Sequence, residues 1–225
     1  MNLAMRVLIG LSLVAVACST LQAQDDDYEK LNSNLGVVVS LPLNPTVKYV
    51  HSGWGFTGGA GYNFSNHHAV LGEFMWNSLY ATDGSLEPLR AALQARDFSG
   101  HSNLYTFTGN YRYELREKTL GAYFIGGAGL YYRITNLSKR ITSGTSTTCA
   151  PAWLWWGFNC VSGTVTANQT IGSASSTALG GNGGIGFTAR VGEAPYRLYV
   201  ESRYHYAPNK NISTQIVTVS FGIRY

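Results

Sequence analysis

The chain has 225 residues, which is enough for one domain with a sizeable core. Its formal net charge of +4 is small and its basic residues are scattered, and this argues against nucleic-acid binding. Charged residues make up 12% of the chain and aromatic residues 13%, while the mean hydropathy is −0.04. Apolar and polar residues are finely interleaved, which excludes a bundle of membrane helices and is typical of β-strands.

The N-terminus has the pattern of a targeting segment. Arg6 supplies a positive charge, and residues 7–17 form an apolar run that is too short to span a bilayer. Leu21-Gln22-Ala23 offers a cleavage site, so residues 1–23 are predicted to be a signal peptide. A competing interpretation is lipoprotein processing, in which Cys18 would carry the lipid.

Eight segments alternate between apolar and polar residues in the manner of strands. After a polar periplasmic lead, residues 24–34, they are predicted at 35–41, 54–64, 69–80, 103–114, 120–134, 177–191, 196–206 and 215–225. The connections after the first, third, fifth and seventh strands are longer than the others. Alternating strands with this asymmetry predict an antiparallel up-and-down transmembrane β-barrel with long extracellular loops and short periplasmic turns. A soluble β-sandwich is the alternative, and it gives no reason for the asymmetry.

The last strand shows the alternation most clearly. One face carries apolar side chains, at Val217, Val219, Phe221, Ile223 and Tyr225. The other face is small or polar and includes Arg224, a charge that a soluble core would not accept unpaired. Lipid on one side and a polar lumen on the other fit this strand best.

The connection between the third and fourth strands contains a predicted helix. Residues 81–101 break the alternation, and apolar residues recur there at helical spacing, at Leu86, Leu89, Ala92 and Leu93. Ser85 is a candidate N-cap. We expect a short amphipathic helix that packs on the barrel mouth.

Residues 135–176 are rich in Ser, Thr, Gly and Asn, and 136–176 are predicted to form a long irregular extracellular loop. Long structureless loops tend to be functional. Cys149 and Cys160 lie within this loop and remain after signal cleavage, and an oxidising periplasm would join them. A free thiol pair or half of a metal site are the alternatives, but no His or further Cys lies at zinc spacing, so no metal is predicted.

An apolar tip lies between the two cysteines. Its large side chains form a candidate recognition patch, at Trp153, Trp155, Trp156 and Phe158. Exposed aromatic patches usually mark an interaction site. The alternative is that these side chains fold over the barrel mouth or lie at the lipid interface, where Trp is favoured.

The polar faces of the strands carry charges that are predicted to point into the lumen. They are Glu73, Arg112, Glu114, Arg133, Arg190, Arg197, Glu201, Arg203 and Arg224. Side chains just fill the interior of an eight-stranded barrel. Opposite charges would therefore pair, because an unpaired buried charge costs several kcal/mol. The set predicts an ion-pair network that closes the lumen, and the alternative is a narrow gated pore that favours anions.

The signal peptide, the Gly- and Tyr-rich strands and the ending from Phe221 to Tyr225 resemble the small outer-membrane β-barrel domain family of Gram-negative bacteria. The resemblance covers roughly residues 35–225. It implies a monomer in the outer membrane, surrounded by lipid and lipopolysaccharide. It also implies that the barrel assembly machinery recognises a C-terminal signal consisting of Phe221, Ile223 and Tyr225. It implies little about function.

Enzymatic motifs are weak. Gly181 to Gly186 formally match GxGxxG, but no βαβ unit surrounds them. His205 resembles the histidine of the outer-membrane lipid A deacylases, but Ala207 stands where their serine would be, and His205 is predicted to face the lumen. No catalysis and no cofactor are therefore predicted. The predicted role is structural or adhesive, by surface recognition through the long loop; a pore is the first alternative and a lipid A-modifying enzyme the second.

Overall fold

The computed structural model describes residues 29–93, 98–151, 158–192, 194–209 and 212–225, without the side chains of 89, 92, 93, 98 and 140–168. It contains eight strands: β1 (Leu31–Pro42), β2 (Gly53–Asn63), β3 (His68–Tyr80), β4 (Phe98–Arg116), β5 (Leu120–Pro151), β6 (Phe158–Arg190), β7 (Arg197–Ala207) and β8 (Thr214–Arg224). A short 3-10 helix (Thr46–Lys48) follows β1, and an α-helix, α1 (Asp83–Leu93), follows β3. Within this part of the chain, no helix is long and apolar enough to cross a membrane.

The strands form a closed barrel in which each strand pairs antiparallel with the next and β8 pairs with β1. The predicted eight-stranded up-and-down barrel is thus confirmed. β1 begins at Leu31, four residues earlier than predicted. Asn32 and Asn34 resemble a polar lead in the sequence, but both are buried inside the barrel.

Burial alternates residue by residue along β1, β4 and β7. In β1, Val38 is fully buried, whereas its neighbours Val37 and Val39 are 58% and 43% exposed. Successive side chains of a strand point to opposite faces, so one set fills the lumen and the other covers the outside. The outer set is largely aliphatic and aromatic, which is the surface that lipid requires.

Aromatic residues gather near both ends of the outer surface. One belt crosses four consecutive strands, at Trp54, Trp76, Tyr105 and Tyr132. Its ring centroids lie 5.8 Å apart for Trp54–Trp76 and 6.3 Å apart for Tyr105–Tyr132. The opposite belt surrounds the β2–β3 turn, at Phe64, His68, Tyr111 and Tyr113. Two belts that flank an apolar band are typical of a barrel that spans a bilayer.

The two ends of the barrel differ. Short turns at 64–67, 117–119 and 191–196 lie at one end, together with the C-terminus. The longer connections and α1 lie at the other end. Short turns face the periplasm in such barrels, so we name the ends periplasmic and extracellular accordingly. The connection at 208–213 is no longer than the turn at 191–196, so the lengths do not alternate strictly.

Helix α1 forms where the sequence predicts it, but with a different cap. Oγ1 of Thr82 accepts the backbone N–H of Ser85 at 3.3 Å, which makes Thr82 the capping residue and places Ser85 inside the first turn. Leu86 is buried, and Ser85 Oγ donates to the Tyr49 carbonyl at 3.2 Å. The helix is therefore tied to the β1–β2 connection at the extracellular mouth.

The prediction that residues 136–176 are irregular is wrong for 136–151 and 158–176, the part of this range that the structure describes. β5 continues to Pro151 and β6 begins at Phe158, and the two strands pair along their length apart from two register shifts. We call residues 140–168 the arm. Its Ser- and Thr-rich composition suggested a loop, but Thr is β-branched and fits a strand, and cross-strand pairing satisfies the backbone polar groups.

Candidate functional site in the lumen and the arm

A network of charges crosses the middle of the lumen. We call Glu73 on β3 with Glu201 and Arg203 on β7 the central layer. Arg203 NH1 lies 2.8 Å from Glu73 Oε2, and Arg203 NH2 lies 2.6 Å from Glu201 Oε1. All three side chains are buried. One guanidinium thus joins two carboxylates from distant parts of the chain.

Neutral side chains complete the central layer. Asn34 Nδ2 donates to Glu73 Oε1 at 2.7 Å, and Asn110 Nδ2 donates to Glu73 Oε2 at 2.5 Å. The Tyr123 hydroxyl donates to Glu201 Oε2 at 3.0 Å. Every carboxylate oxygen in the layer therefore accepts a hydrogen bond, which is the condition under which buried ion pairs are tolerated. The partners come from β1, β3, β4, β5 and β7, so the network links most of the barrel.

A second group of charges lies nearer the periplasmic end. We call Glu114 with Arg112, Arg116 and Arg224 the periplasmic layer. Glu114 Oε2 lies 3.4 Å from Arg112 Nε, 3.2 Å from Arg116 NH2 and 3.8 Å from Arg224 NH1. Arg112, Glu114 and Arg224 are buried, whereas Arg116 is partly exposed. One carboxylate therefore serves three guanidinium groups.

Two tyrosine rings flank Arg224. Its guanidinium carbon lies 4.3 Å from the ring centroid of Tyr123 and 5.2 Å from that of Tyr199. A cation over an aromatic face is stabilised by the quadrupole of the ring. These contacts hold the guanidinium in place.

An apolar layer lies on the extracellular side of the central layer. It consists of Val38, Met75, Leu79, Leu104, Tyr131, Ala207 and Ile216. His205 lies beside it, and its ring nitrogens contact the Tyr131 hydroxyl at 3.0 Å and Thr218 Oγ1 at 3.2 Å. These buried side chains fill the cross-section of the barrel with little space for water.

Among the described residues, two large cavities open at the two mouths of the barrel. The extracellular cavity has about 310 Å³ and the periplasmic cavity about 390 Å³. Beside the central layer there is a gap of only about 10 Å³. A water molecule needs roughly 10–15 Å³ of such space, so this gap holds one water molecule at most.

Comparison with known proteins agrees with this architecture. Residues 11–225 match the family described as outer membrane protein beta-barrel domain. The chain belongs to this family. Membership assigns the barrel to the bacterial outer membrane, in agreement with its apolar outer band between two aromatic belts.

The barrel of this chain is also similar to barrels of solved structure. Ail, the attachment invasion locus protein of Yersinia pestis, aligns with a TM-score of 0.50 and 16% identity over 88% of this chain and 100% of that chain. Neisserial surface protein A aligns with a TM-score of 0.44 and 14% identity over 86% of this chain and 95% of that chain. OprG from Pseudomonas aeruginosa aligns with a TM-score of 0.39 and 13% identity over 87% of this chain and 95% of that chain. At these identities the likeness shows the fold alone. No curated protein sequence matches the chain.

Six of the nine charges that were predicted to face the lumen lie in its two layers. They are Glu73, Arg112, Glu114, Glu201, Arg203 and Arg224. The other three lie at the mouths, because they occupy strand positions beyond the packed interior. Arg133 lines the extracellular cavity and donates to Ser176 Oγ at 3.2 Å. Arg190 is exposed at the end of β6, and Arg197 donates to the carbonyl of Glu117 at 2.8 Å.

Three interior tyrosines were missed by the sequence reasoning. Tyr123, Tyr131 and Tyr199 are buried, although tyrosine elsewhere in this barrel faces outward. In β5 both faces carry large apolar residues, so alternation alone does not tell inside from outside. Arg133 lies on the same face of β5 as Tyr123 and Tyr131. Because a charged side chain is expected in the lumen, Arg133 could have shown that these two tyrosines face inward.

Glycines make room for these rings. A Cβ on Gly186 would collide with the ring of Tyr123, and a Cβ on Gly180 would lie 2.8 Å from Cε2 of Tyr131. Gly183, by contrast, has only the Ile125 carbonyl at 4.0 Å. The GxGxxG match therefore lies on a barrel strand, where Gly186 serves packing inside the lumen.

The predicted recognition patch lies mostly outside the described residues. Trp153, Trp155 and Trp156 are not described, and Phe158 is described only as the first residue of β6. Cys149 and Cys160 are direct register partners across β5 and β6. Directly opposed strand residues have Cα atoms about 4.5–5.5 Å apart, which is within the range for a disulfide. The disulfide stays a prediction.

The C-terminal residues face outward at the periplasmic end. Phe221, Ile223 and Tyr225 are 50%, 48% and 56% exposed. Their role as an assembly signal stays a prediction. His205 and Ala207 on the preceding strand are buried in the lumen, so His205 is remote from lipid.

Proposed function

We propose that this outer-membrane barrel is sealed and serves a structural and adhesive role, with the arm as its surface-recognition element. The observation that carries the proposal is that β5 and β6 continue far beyond the barrel. The pairing of β5 with β4 ends at Phe98–Lys139, and the pairing of β6 with β7 ends at Gly181–Tyr206. Beyond these points the two strands pair only with each other.

The arm is long compared with what a connection requires. From Lys139 to Pro151 it extends β5 by about 40 Å, at the usual rise of about 3.3 Å per residue. Hairpin loops of two to five residues suffice to join neighbouring strands. A ribbon of this length reaches well beyond the headgroups of the bilayer, where it can contact a partner.

A two-stranded ribbon leaves the outer edges of both strands unpaired. Such edges bind extended segments of other proteins by strand addition. An isolated hairpin is only marginally stable in water, so a link between Cys149 and Cys160 near the tip would stabilise it. The indoles of Trp153, Trp155 and Trp156 would then be presented within a closed ring of the chain.

The pore alternative has less support. The central and apolar layers close the lumen between the two mouths, so we expect planar-bilayer recordings of the purified barrel to give no reproducible conductance steps. Catalysis is not part of the proposal, because His205 lies inside the lumen and Ala207 replaces the serine that a deacylase requires.

The proposal includes the route to the membrane. Residues 1–23 would be removed as a signal peptide, and the assembly machinery would recognise Phe221, Ile223 and Tyr225. The outward position of these three side chains at the C-terminal end of the barrel supports such recognition. The barrel would then lie in lipid and lipopolysaccharide as a monomer.

A pair of tip substitutions tests the recognition role. The variant Trp155→Ser/Trp156→Ser and a matched control, Trp54→Phe in the outer belt, are displayed on a non-adherent bacterium. Binding to immobilised matrix proteins, glycans and lipids is then measured. We expect the tip variant to lose binding and to keep the heat-dependent gel shift of a closed barrel, while the control keeps both. Equal binding by all three proteins would refute recognition by the tip.

A further inference from the structure

The periplasmic layer is not balanced in charge. Three guanidinium groups, those of Arg112, Arg116 and Arg224, surround the single carboxylate of Glu114. Two of these arginines are buried. The central layer has two carboxylates for one guanidinium and offsets one of these positive charges. The remaining excess lies on the periplasmic side, where Arg116 is partly exposed.

Several guanidinium N–H groups of this layer also lack a hydrogen-bond acceptor. Nε, NH1 and NH2 of Arg224 and Nε and NH1 of Arg112 are buried and have no hydrogen-bonding partner within the described residues. Arg112 Nε is within ion-pair distance of Glu114, but its N–H is not directed at the carboxylate. Native proteins pair more than nine-tenths of their buried polar groups, so five unused donors at one place are unusual.

A cavity of about 390 Å³ adjoins Arg224 at the periplasmic mouth. Its lining is mainly cationic or amide, with Arg116, Arg190, Arg197, Asn32, Asn63 and Asn66. Glu29 also lines it, and Glu114 is paired with Arg116 and Arg224 behind it. Among the described residues, the four arginines outnumber these two carboxylates and leave the cavity with a net positive charge.

The arginines at the rim are already held in position. Arg197 NH2 donates to the carbonyls of Glu117 and Lys118 at 2.8 and 3.1 Å, and Arg190 Nε donates to the Ala194 carbonyl at 3.4 Å. Groups that are held by the backbone lose little freedom when they bind a ligand. The planar fork of arginine matches the oxygens of a phosphate group.

We propose that the periplasmic mouth is a binding site for a phosphate-type oxyanion, with Arg190 and Arg197 as its ligands and the buried guanidinium of Arg224 as a fixed positive charge behind them. The volume exceeds that of a single phosphate ion, so a phosphate that carries a larger group also fits. Two sources have the required chemistry, free inorganic phosphate and the headgroup of an anionic phospholipid in the periplasmic leaflet.

The test uses the full mature barrel in a maltoside detergent that contains no phosphate. Inorganic phosphate is titrated by calorimetry against a chloride solution of equal ionic strength, and short-chain phosphatidylglycerol is titrated in the same way. The variants are Arg197→Gln and Arg190→Gln. The matched control is Arg133→Gln, which removes an arginine from the opposite mouth.

We expect saturable binding to the unmodified barrel and to Arg133→Gln, and at least about tenfold weaker binding to Arg197→Gln, the effect of one lost charge-assisted hydrogen bond. Tighter binding of the lipid than of phosphate would assign the site to a headgroup, and equal binding would assign it to the free ion. Absence of saturable binding of both probes to the unmodified barrel overturns the proposal.

Equal loss in Arg133→Gln also overturns it, because the effect would then come from net charge alone. If Arg197→Gln fails to give the gel shift of a folded barrel, Arg190→Gln decides, because Arg190 is exposed and outside the packed lumen. Unchanged affinity in Arg190→Gln would then count against the proposal.

Discussion

Strands β5 and β6 have different surroundings in the barrel and in the arm. Inside the barrel each has two strand neighbours, and its inner face packs on buried side chains such as Tyr123 and Tyr131. In the arm each pairs only with the other. The difference teaches that stability and recognition are carried by separate stretches of the same two strands. Changes in the lumen should therefore affect folding, and changes in the arm should affect binding.

The largest effect is expected from breaking the central layer. Replacing Arg203 with Met leaves Glu73 and Glu201 buried without their shared cation, so we expect a loss of about 3–5 kcal/mol in the free energy of unfolding. Urea titration followed by the gel shift of the unboiled barrel measures this loss. The matched control is Arg90→Met on α1, which removes an exposed pair with Asp83 and should cost less than about 1 kcal/mol. Similar losses in both variants would argue against a stabilising central layer.

A smaller effect is expected at Gly186. An alanine there drives a Cβ into the ring of Tyr123, and overpacking of this kind costs about 1–3 kcal/mol. Gly183→Ala is the matched control, because it lies on the same strand with open space at the Cβ position. The same urea titration compares the two variants. If Gly186→Ala is as stable as Gly183→Ala, the ring of Tyr123 does not need the glycine.

A still smaller effect on the barrel is expected from the cysteines. Replacing Cys149 with Ser should leave the unfolding of the barrel within about 0.5 kcal/mol, because the arm shares no core with it. The arm itself should be cleaved faster by protease, since opening of a two-stranded ribbon is no longer restrained. Limited proteolysis with and without reductant measures this. An unmodified protein whose arm is cleaved equally fast in both conditions has no functional disulfide there.

Much of the barrel could be predicted from the sequence, because alternation reports directly on which face a residue occupies. The charge of Arg224 opposite Phe221 and Ile223 made lipid on one side and a polar lumen on the other the pair of environments that fits best. The arm could not be predicted in this way. Ser and Thr are common in loops and also fit strands, and a ribbon exposed on both faces has no apolar alternation to reveal it.

The layers of the lumen were only partly accessible to the same reasoning. The alternation along the strands correctly predicted that six charged residues lie in the two layers of the lumen. It does not predict which of these charges form ion pairs. Glu73 and Arg203 pair because the barrel closes and sets the register between distant strands. Asn34 and Asn110 were invisible as partners, because asparagine in a sequence more often indicates a turn. The sequence likewise does not reveal that three arginines meet in the periplasmic layer, because this depends on how far along its strand each residue lies from the barrel end.

The most direct test of a separable barrel and arm is a deletion. Residues 141–167 are replaced by an Asn-Gly turn, which suits a two-residue hairpin, and adhesion of cells displaying this variant is compared with adhesion of cells displaying the full chain at equal surface amounts. We expect the deletion to abolish adhesion while the unboiled band keeps its faster migration and its urea midpoint. Adhesion that survives the deletion, or a barrel that no longer forms without the arm, would contradict the division between a stabilising lumen and a recognising arm.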